Sequence, residues 1–223
     1  MTPSTPRSAI RSRLTAPSDS VVVYAVVPGS GLESGVKVAG AEVLVVRQLA
    51  ALLEESSLGV GANVAQRVMR YRGVIEQAFT ERSVVPLPCG TSFRSRASVE
   101  RWLELHHSPL QEALEFVAER AMMRVRAGVA GTPASEAAAA SVDGRLWTAL
   151  RGLKGDAIAA IPVVANADAR AARDAICAYL IDRDAIAAFE QRVANLTSTE
   201  PHLHFELSGP FPAYDFVQMD FGG

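Results

Sequence analysis

The chain has 223 residues, is 49% hydrophobic, and carries a formal net charge of −2 with an isoelectric point near 6.1. That length suits one large domain or two small ones, burying roughly 70% of the unfolded surface. The charge leaves no field to recruit nucleic acid or an anionic membrane, and no run of roughly 18 apolar residues is present to span a bilayer.

Residues 1–20 hold Arg7, Arg11 and Arg13 among Ser, Thr and Pro. They lack the apolar stretch of a secretory signal, so a disordered tail is expected, with a basic targeting or docking arm as the second reading. Residues 21–27 form a β-branched run closed by Pro28-Gly29, the pattern of a buried strand. Residues 36–38 and 41–46 flank Gly40 and suggest a short hairpin. Residues 49–55 are expected as a short helix. Residues 62–82 are expected as a longer one, with Val64, Val68, Tyr71, Ile75 and Phe79 on one apolar face and Asn63 as its cap. Residues 84–87 read as a strand that Pro86 places at an edge or ends early.

Residues 98–119 are amphipathic, with Val99, Trp102, Leu103, Leu110, Leu114 and Val117 inward, and Pro109 is expected to kink or split this helix. Residues 122–129 alternate Met123, Val125 and Ala127 against Arg124 and Arg126, as a strand with one wet face does. Residues 128–144 are Ala-, Gly-, Ser- and Thr-rich and read as a linker or mobile loop. Residues 146–160 are expected as helix with Trp147 and Leu150 inward. A strand is expected at 175–181. A helix should follow from Asp184 to near Asn195, with Ile186, Phe189 and Val193 inward. A last strand at 202–207 alternates His202, His204 and Glu206 against Leu203, Phe205 and Leu207. The expected fold class is α+β. A modified ferredoxin-like domain spans 21–128, a linker 129–144, and a smaller C-terminal α+β domain with a Pro/aromatic tail 145–223.

Chemistry-bearing patterns are few. Gly29, Gly31 and Gly35 follow the first strand, but a phosphate cradle needs a helix N-terminus directly after its glycines. Here Val36-Lys37-Val38 follows, so a strand connection is expected. His202, His204 and Glu206 share one strand face as metal ligands would, yet a wet strand face gives the same alternation. His106 and His107 are adjacent on a helix and point about 100° apart. Cys89 and Cys177 form no Cys-x-x-Cys pair, so neither zinc nor a disulfide framework is indicated, and both are expected as small buried reduced thiols. Helix capping accounts for Asp184, beside Asp174 and Asp182. No enzyme, metal or cofactor is expected.

The closing stretch, Gly209-Pro210-Phe211-Pro212-Ala213-Tyr214-Asp215-Phe216-Val217, concentrates rings in a chain that is only 6% aromatic. Its prolines stiffen the backbone, so it is expected to pack against something. It resembles the closing Gly-Pro-Trp-Pro-Pro-Tyr-x-Phe motif of the gas vesicle accessory proteins of the GvpF/GvpL family. Val23-Tyr24-Ala25-Val26-Val27 is similar to that family's opening strand. Val84-Val85-Pro86-Leu87-Pro88-Cys89-Gly90-Thr91-Ser92-Phe93 is similar to its Val-x-Pro-x-Arg-Phe-Gly-Thr-x-Phe segment. Pro88 and Cys89 replace its usual Arg-Phe, Phe211 its Trp, and Ala213 its third Pro.

The resemblance implies a cytoplasmic, cofactor-free, chaperone-like protein. Its partners would be the hydrophobic gas vesicle shell subunit and other accessory gas vesicle proteins, with no nucleic acid and no membrane. Pro210, Phe211, Pro212, Tyr214 and Phe216 are the candidate partner-binding or tail-docking residues. The reading from another class is a ferredoxin-like sensor or enzyme that uses the Gly29–Gly35 loop or the His202/His204 face.

Overall fold

The computed structural model describes residues 20–56, 63–129, 136–163 and 174–217. The expected N-terminal tail lies outside the described residues apart from Ser20. Strand β1 (Ser20–Pro28) is the apolar run read from sequence. Strands β2 (Lys37–Val38) and β3 (Ala41–Val46) form the expected hairpin. Its two-residue loop, Ala39-Gly40, has φ of 53° and 74°, the left-handed pair that a type I′ turn requires.

Residues 49–55 are not a helix but the body of strand β4 (Leu49–Ser56), paired to β1 on one edge and β3 on the other. Leu and Ala favour helix locally. Here the chain reverses at Arg47, with φ 56°, and slides the segment between two strands. Leu53 then enters one core and Leu52 the core on the opposite face, both fully buried. A strand buried on both faces loses the alternation that would have marked it.

Helix α1 (Val64–Phe79) starts where Asn63 Oδ1 accepts the Ala65 amide at 3.0 Å. Its last two turns bury Val74, Ile75, Ala78 and Phe79. Its first two do not pack: Val64 is 66% and Val68 40% exposed, although both continue the apolar stripe. Strands β5 (Val85–Pro86) and β6 (Ser92–Phe93) share the remaining edge of β1, one at each end. The long expected helix is split, but not at Pro109. Helices α2 (Arg96–Leu105) and α3 (His107–Val117) break at His106. Pro109 sits in the first turn of α3, where its missing amide has no intrahelical acceptor to lose.

The first sheet therefore runs β2-β3-β4-β1-β5, with β6 beside the start of β1. Leu103, Leu110 and Leu114 of α2 and α3 cover one face together with Trp102, and α1 covers the other.

Strand β7 (Arg120–Val129), expected to end the first unit, instead sits inside the second sheet, ordered β10-β7-β9-β8 and antiparallel throughout. The segment expected as a linker is largely structured where described. Gly128 and Val129 belong to β7, and helix α4 (Glu136–Gly152) takes in the alanines; residues 130–135 lie outside the described residues. Leu146 and Leu150 anchor α4, while Trp147, expected inward, is 39% exposed. The helix stops at Gly152. A 3-10 turn (Leu153–Asp156) leads to strand β8 (Ala159–Val163), where helix had been expected. Strand β9 (Ala175–Asp182), a 3-10 turn (Arg183–Ala185), helix α5 (Ile186–Thr199) and strand β10 (Leu203–Phe211) complete the chain order. Asp184 lies in the turn rather than the helix, and α5 runs past Asn195. Phe189 and Val193 of α5 join Leu146 and Leu150 against Met123, Val125 and Tyr179 of this sheet. Among the described residues no helix is long and apolar enough to cross a membrane.

Leu52→Ala and Leu53→Ala should each lower stability by about 2–5 kcal/mol, the usual cost of a buried leucine. Val64→Ala, on the unpacked end of α1, should stay within about 0.5 kcal/mol. Denaturant midpoints of the three variants check the assignment of β4 and the half-packed state of α1 together.

Candidate functional site

The closing segment begins inside β10 and then crosses the seam between the sheets. Gly209 has φ 130°, and a Cβ there would lie 2.8 Å from the Met122 carbonyl oxygen, so only glycine lets β10 pass β7 this closely. After a register shift Phe211 pairs with Met122. Pro212 is buried, and a tight turn follows in which Tyr214 donates to the Pro212 carbonyl at 2.7 Å and Phe216 to that of Ala213 at 3.1 Å.

The turn sends its side chains to three places. Ala213, Phe216 and Val217 join the core under α2 and α3. Tyr214 joins the core under α1, its ring 6.4 Å from that of Tyr71. Asp215 accepts two hydrogen bonds from the Arg124 guanidinium, both at 2.9 Å, tying the segment to β7. The fork geometry fixes orientation as well as charge. The sequence had flagged Arg124 only as a wet-face residue and Asp215 not at all; an Asp amid aromatics, facing a strand with alternating arginines, was the available signal. Phe211, Tyr214 and Phe216 are half-buried rather than enclosed. Pro210 remains exposed. Burial pushes the Tyr214 hydroxyl up to about 12, and among the described residues no group reaches it with a hydrogen bond.

The seam is fastened at other points too. Leu180 and Ala159 of the second sheet enter the α2/α3 core, and Ala121 and Ile186 the α1 core. Arg183 lies 4.2 Å over the Phe79 ring and donates to the Phe79 carbonyl at 3.0 Å.

The other candidate residues are not brought together. The Gly29–Gly35 loop leads into β2, with Gly29 and Gly35 donating to the Gln48 and Val43 carbonyls, so no helix N-terminus stands behind it to hold a phosphate. His204 lies opposite Gly128, where a Cβ would come 2.2 Å from its ring, and Glu206 faces Arg126. The same Arg126 holds Asp174, whose side chain is 4% exposed. Asp182 binds Arg120 at 3.1 Å. His106 Nδ1 stands 2.9 Å from the Trp102 carbonyl oxygen, and His107 Nε2 stands 3.0 Å from Gln48 Oε1. Cys177 is buried and donates to the Ile161 carbonyl at 3.2 Å. Cys89, expected buried, is exposed, because the 88–91 turn swings it clear of β1. Among the described residues no group of three His, Cys, Asp or Glu side chains converges as metal ligands would.

If the ring of Tyr214 fastens the seam, Tyr214→Phe should leave stability unchanged or raise it by up to about 1 kcal/mol, since the lost hydroxyl makes no bond here. Tyr214→Ala should cost about 2–3 kcal/mol, the large-to-small value scaled for a half-buried ring. Thermal melts of the two variants separate ring from hydroxyl.

The family model described as gas vesicle synthesis protein GvpL/GvpF matches residues 20–145 and 165–218. The fold is similar to the crystal structure of the gas vesicle protein GvpF from Anabaena sp. PCC7120, with a TM-score of 0.72, 16% identity, and coverage of 92% of this chain and 99% of that one. It is also similar to GvpF from Microcystis aeruginosa, with a TM-score of 0.69, 14% identity, and coverage of 90% and 99%. No curated protein sequence matches. At these identities the structures speak for fold alone, and the family match spans most of the sequence: the chain belongs to the GvpL/GvpF family of gas vesicle synthesis proteins.

Proposed function

We propose that this protein is a non-catalytic gas vesicle assembly factor. It binds the hydrophobic shell subunit in a chaperone-like way and delivers it for assembly in the cytoplasm, alongside other accessory gas vesicle proteins. The observation that carries the reading is the family match over residues 20–145 and 165–218. The physical need is plain. A subunit that will build an apolar wall exposes apolar surface beforehand, and such surface self-associates unless it is covered. A holder for it needs a stable scaffold and an apolar face, and no reacting groups.

The ferredoxin-like character expected of the first unit fits the second better. β7-α4-β8-β9-α5-β10, with sheet order β10-β7-β9-β8, is a β-α-β-β-α-β arrangement. On that reading the second unit starts near Arg120, and the first is a β2-β3-β4 meander with β1 added beside β4 and helices on both faces. The closing segment, through half-buried Phe211, Tyr214 and Phe216, then borders any partner lying across the seam.

Tagged protein co-expressed with the shell subunit should keep that subunit soluble and co-purify with it. In cells lacking the protein, the subunit should aggregate and vesicles should be absent. A shell subunit that is equally soluble with and without the protein, and never captured by it, would overturn the reading.

A further inference from the structure

Below the first two turns of α1 lies an open groove of about 560 Å³. One wall is the stripe Val64, Val68 and Tyr71; the floor is Val22 and Tyr24 of β1. In a closed core this stripe would meet the sheet, as Ile75 and Phe79 do two turns later. Here the valines stay exposed, together with Met69 at 73%. A volume in the range of roughly 300–1,000 Å³ is that of pockets that take a ligand or a partner's anchor residues.

We infer that this groove is the docking site for one face of an apolar helix bearing a carboxylate, supplied by the shell subunit; the inference rests on the function proposed above.

Three observations select that occupant. The first concerns backbone. A strand cannot add here, because the floor strand is paired on both edges: Val22 faces Glu54 of β4 and Ser92 of β6. Recognition must then be through side chains, as in helix-in-groove binding. Val64 and Val68 stand one helical turn apart, about 6 Å along the axis, the spacing at which anchors of a docked helix repeat.

The second concerns charge. Four ionised groups line the groove: Glu54, Glu55, Arg67 and Arg70. Glu54 accepts from Tyr24 at 2.7 Å and from Arg70 at 3.2 Å. Burial pushes the Tyr24 hydroxyl up to about 12, so it remains a donor at neutral pH. Glu55 accepts from Arg96 at 2.6 Å. The lining charges sum to zero, with Arg96 shared between Glu55 and Glu42, but Arg67 is the lining cation that has no carboxylate within ion-pair distance among the described residues. A partner whose apolar face carries one carboxylate supplies the counter-charge that Arg67 lacks.

The third concerns position. Tyr71 lines the groove and its ring also meets Tyr214. The groove is therefore continuous with the seam that the closing segment fastens, and a helix lying in it approaches the half-buried aromatics already marked out by the sequence.

The site can be tested without touching the fold. Cys89 is exposed and lines the end of the groove, whereas Cys177 is buried. A benzophenone placed on Cys89 should crosslink to the co-expressed shell subunit. The same label at Glu190→Cys in a Cys89→Ser background, on the exposed face of α5, should not. Val68→Asp should cut capture of the shell subunit by at least about ten-fold, the effect of losing one anchor residue, with unchanged melting. Arg67→Glu should cut it by about three-fold or more, with the loss shrinking as salt rises.

Wild-type capture that both variants retain, with crosslinks from Glu190→Cys alone, would overturn the groove while leaving the proposed function standing. Failure of the wild type to capture the subunit would overturn both. A wild-type dimer that Val68→Asp dissociates would overturn the inference by giving the groove to a second copy of this chain.

Discussion

The strand pair β1–β4 is apolar on both faces, and the rest of the first unit exists to keep water from those faces. Val23 and Leu53 look one way, Ala25 and Leu52 the other, all essentially inaccessible. A sheet of this kind cannot stand with one side wet, as an ordinary antiparallel sheet can. It recruits α2 and α3 to one side and α1 to the other. The second sheet is clamped against the same assembly through Leu180, Ala121 and Arg183. The closing segment completes the cover, contributing to both cores within a few residues. Its ion pair with Arg124 adds direction more than energy: both partners are partly solvated, and such pairs contribute about 1 kcal/mol or less.

Elements with a local signature (an unbroken β-branched run, a turn glycine, a capping Asn, an alternating strand) were legible in the sequence. β1, the Gly40 hairpin, the Asn63 cap and the arginine alternation of β7 stand where the residues placed them. What failed failed for tertiary reasons. β4 reads as helix because its leucines serve two cores at once. The break at His106 is invisible because Pro109 draws attention to itself while occupying the one turn that tolerates it. The alanines of α4 look like a linker because small residues carry no periodic signal, although Leu146 and Leu150 further on hold the helix to its sheet. The membership of β7 in the second sheet depends on pairing with β9 and β10, long-range information that no local pattern contains.

The candidate site divides in the same way. The aromatics of the closing segment announced themselves by composition, and Tyr214 and Phe216 pack against the two cores of the first unit. Their anchor did not, because Arg124 and Asp215 are 91 residues apart and each is ordinary where it stands. Val64 and Val68 were read as core, a fair inference from spacing alone, since periodicity reports which face is apolar and not whether anything covers it.

That distinction is where fold and function meet. A helix stripe that outruns its own core is a local conflict of the kind natural sequences keep at functional sites. α1 resolves half of it internally, through Ile75 and Phe79, and leaves the other half open above Val22 and Tyr24. The buried half holds the helix in place, so the open half is presented on a rigid element. A partner helix then meets a preformed wall and need not order it, which lowers the entropic cost of association. Because Tyr71 and Tyr214 share the boundary between groove and seam, a helix seated in the groove would lie against the joint between the two sheets, where the closing segment's half-buried rings already stand.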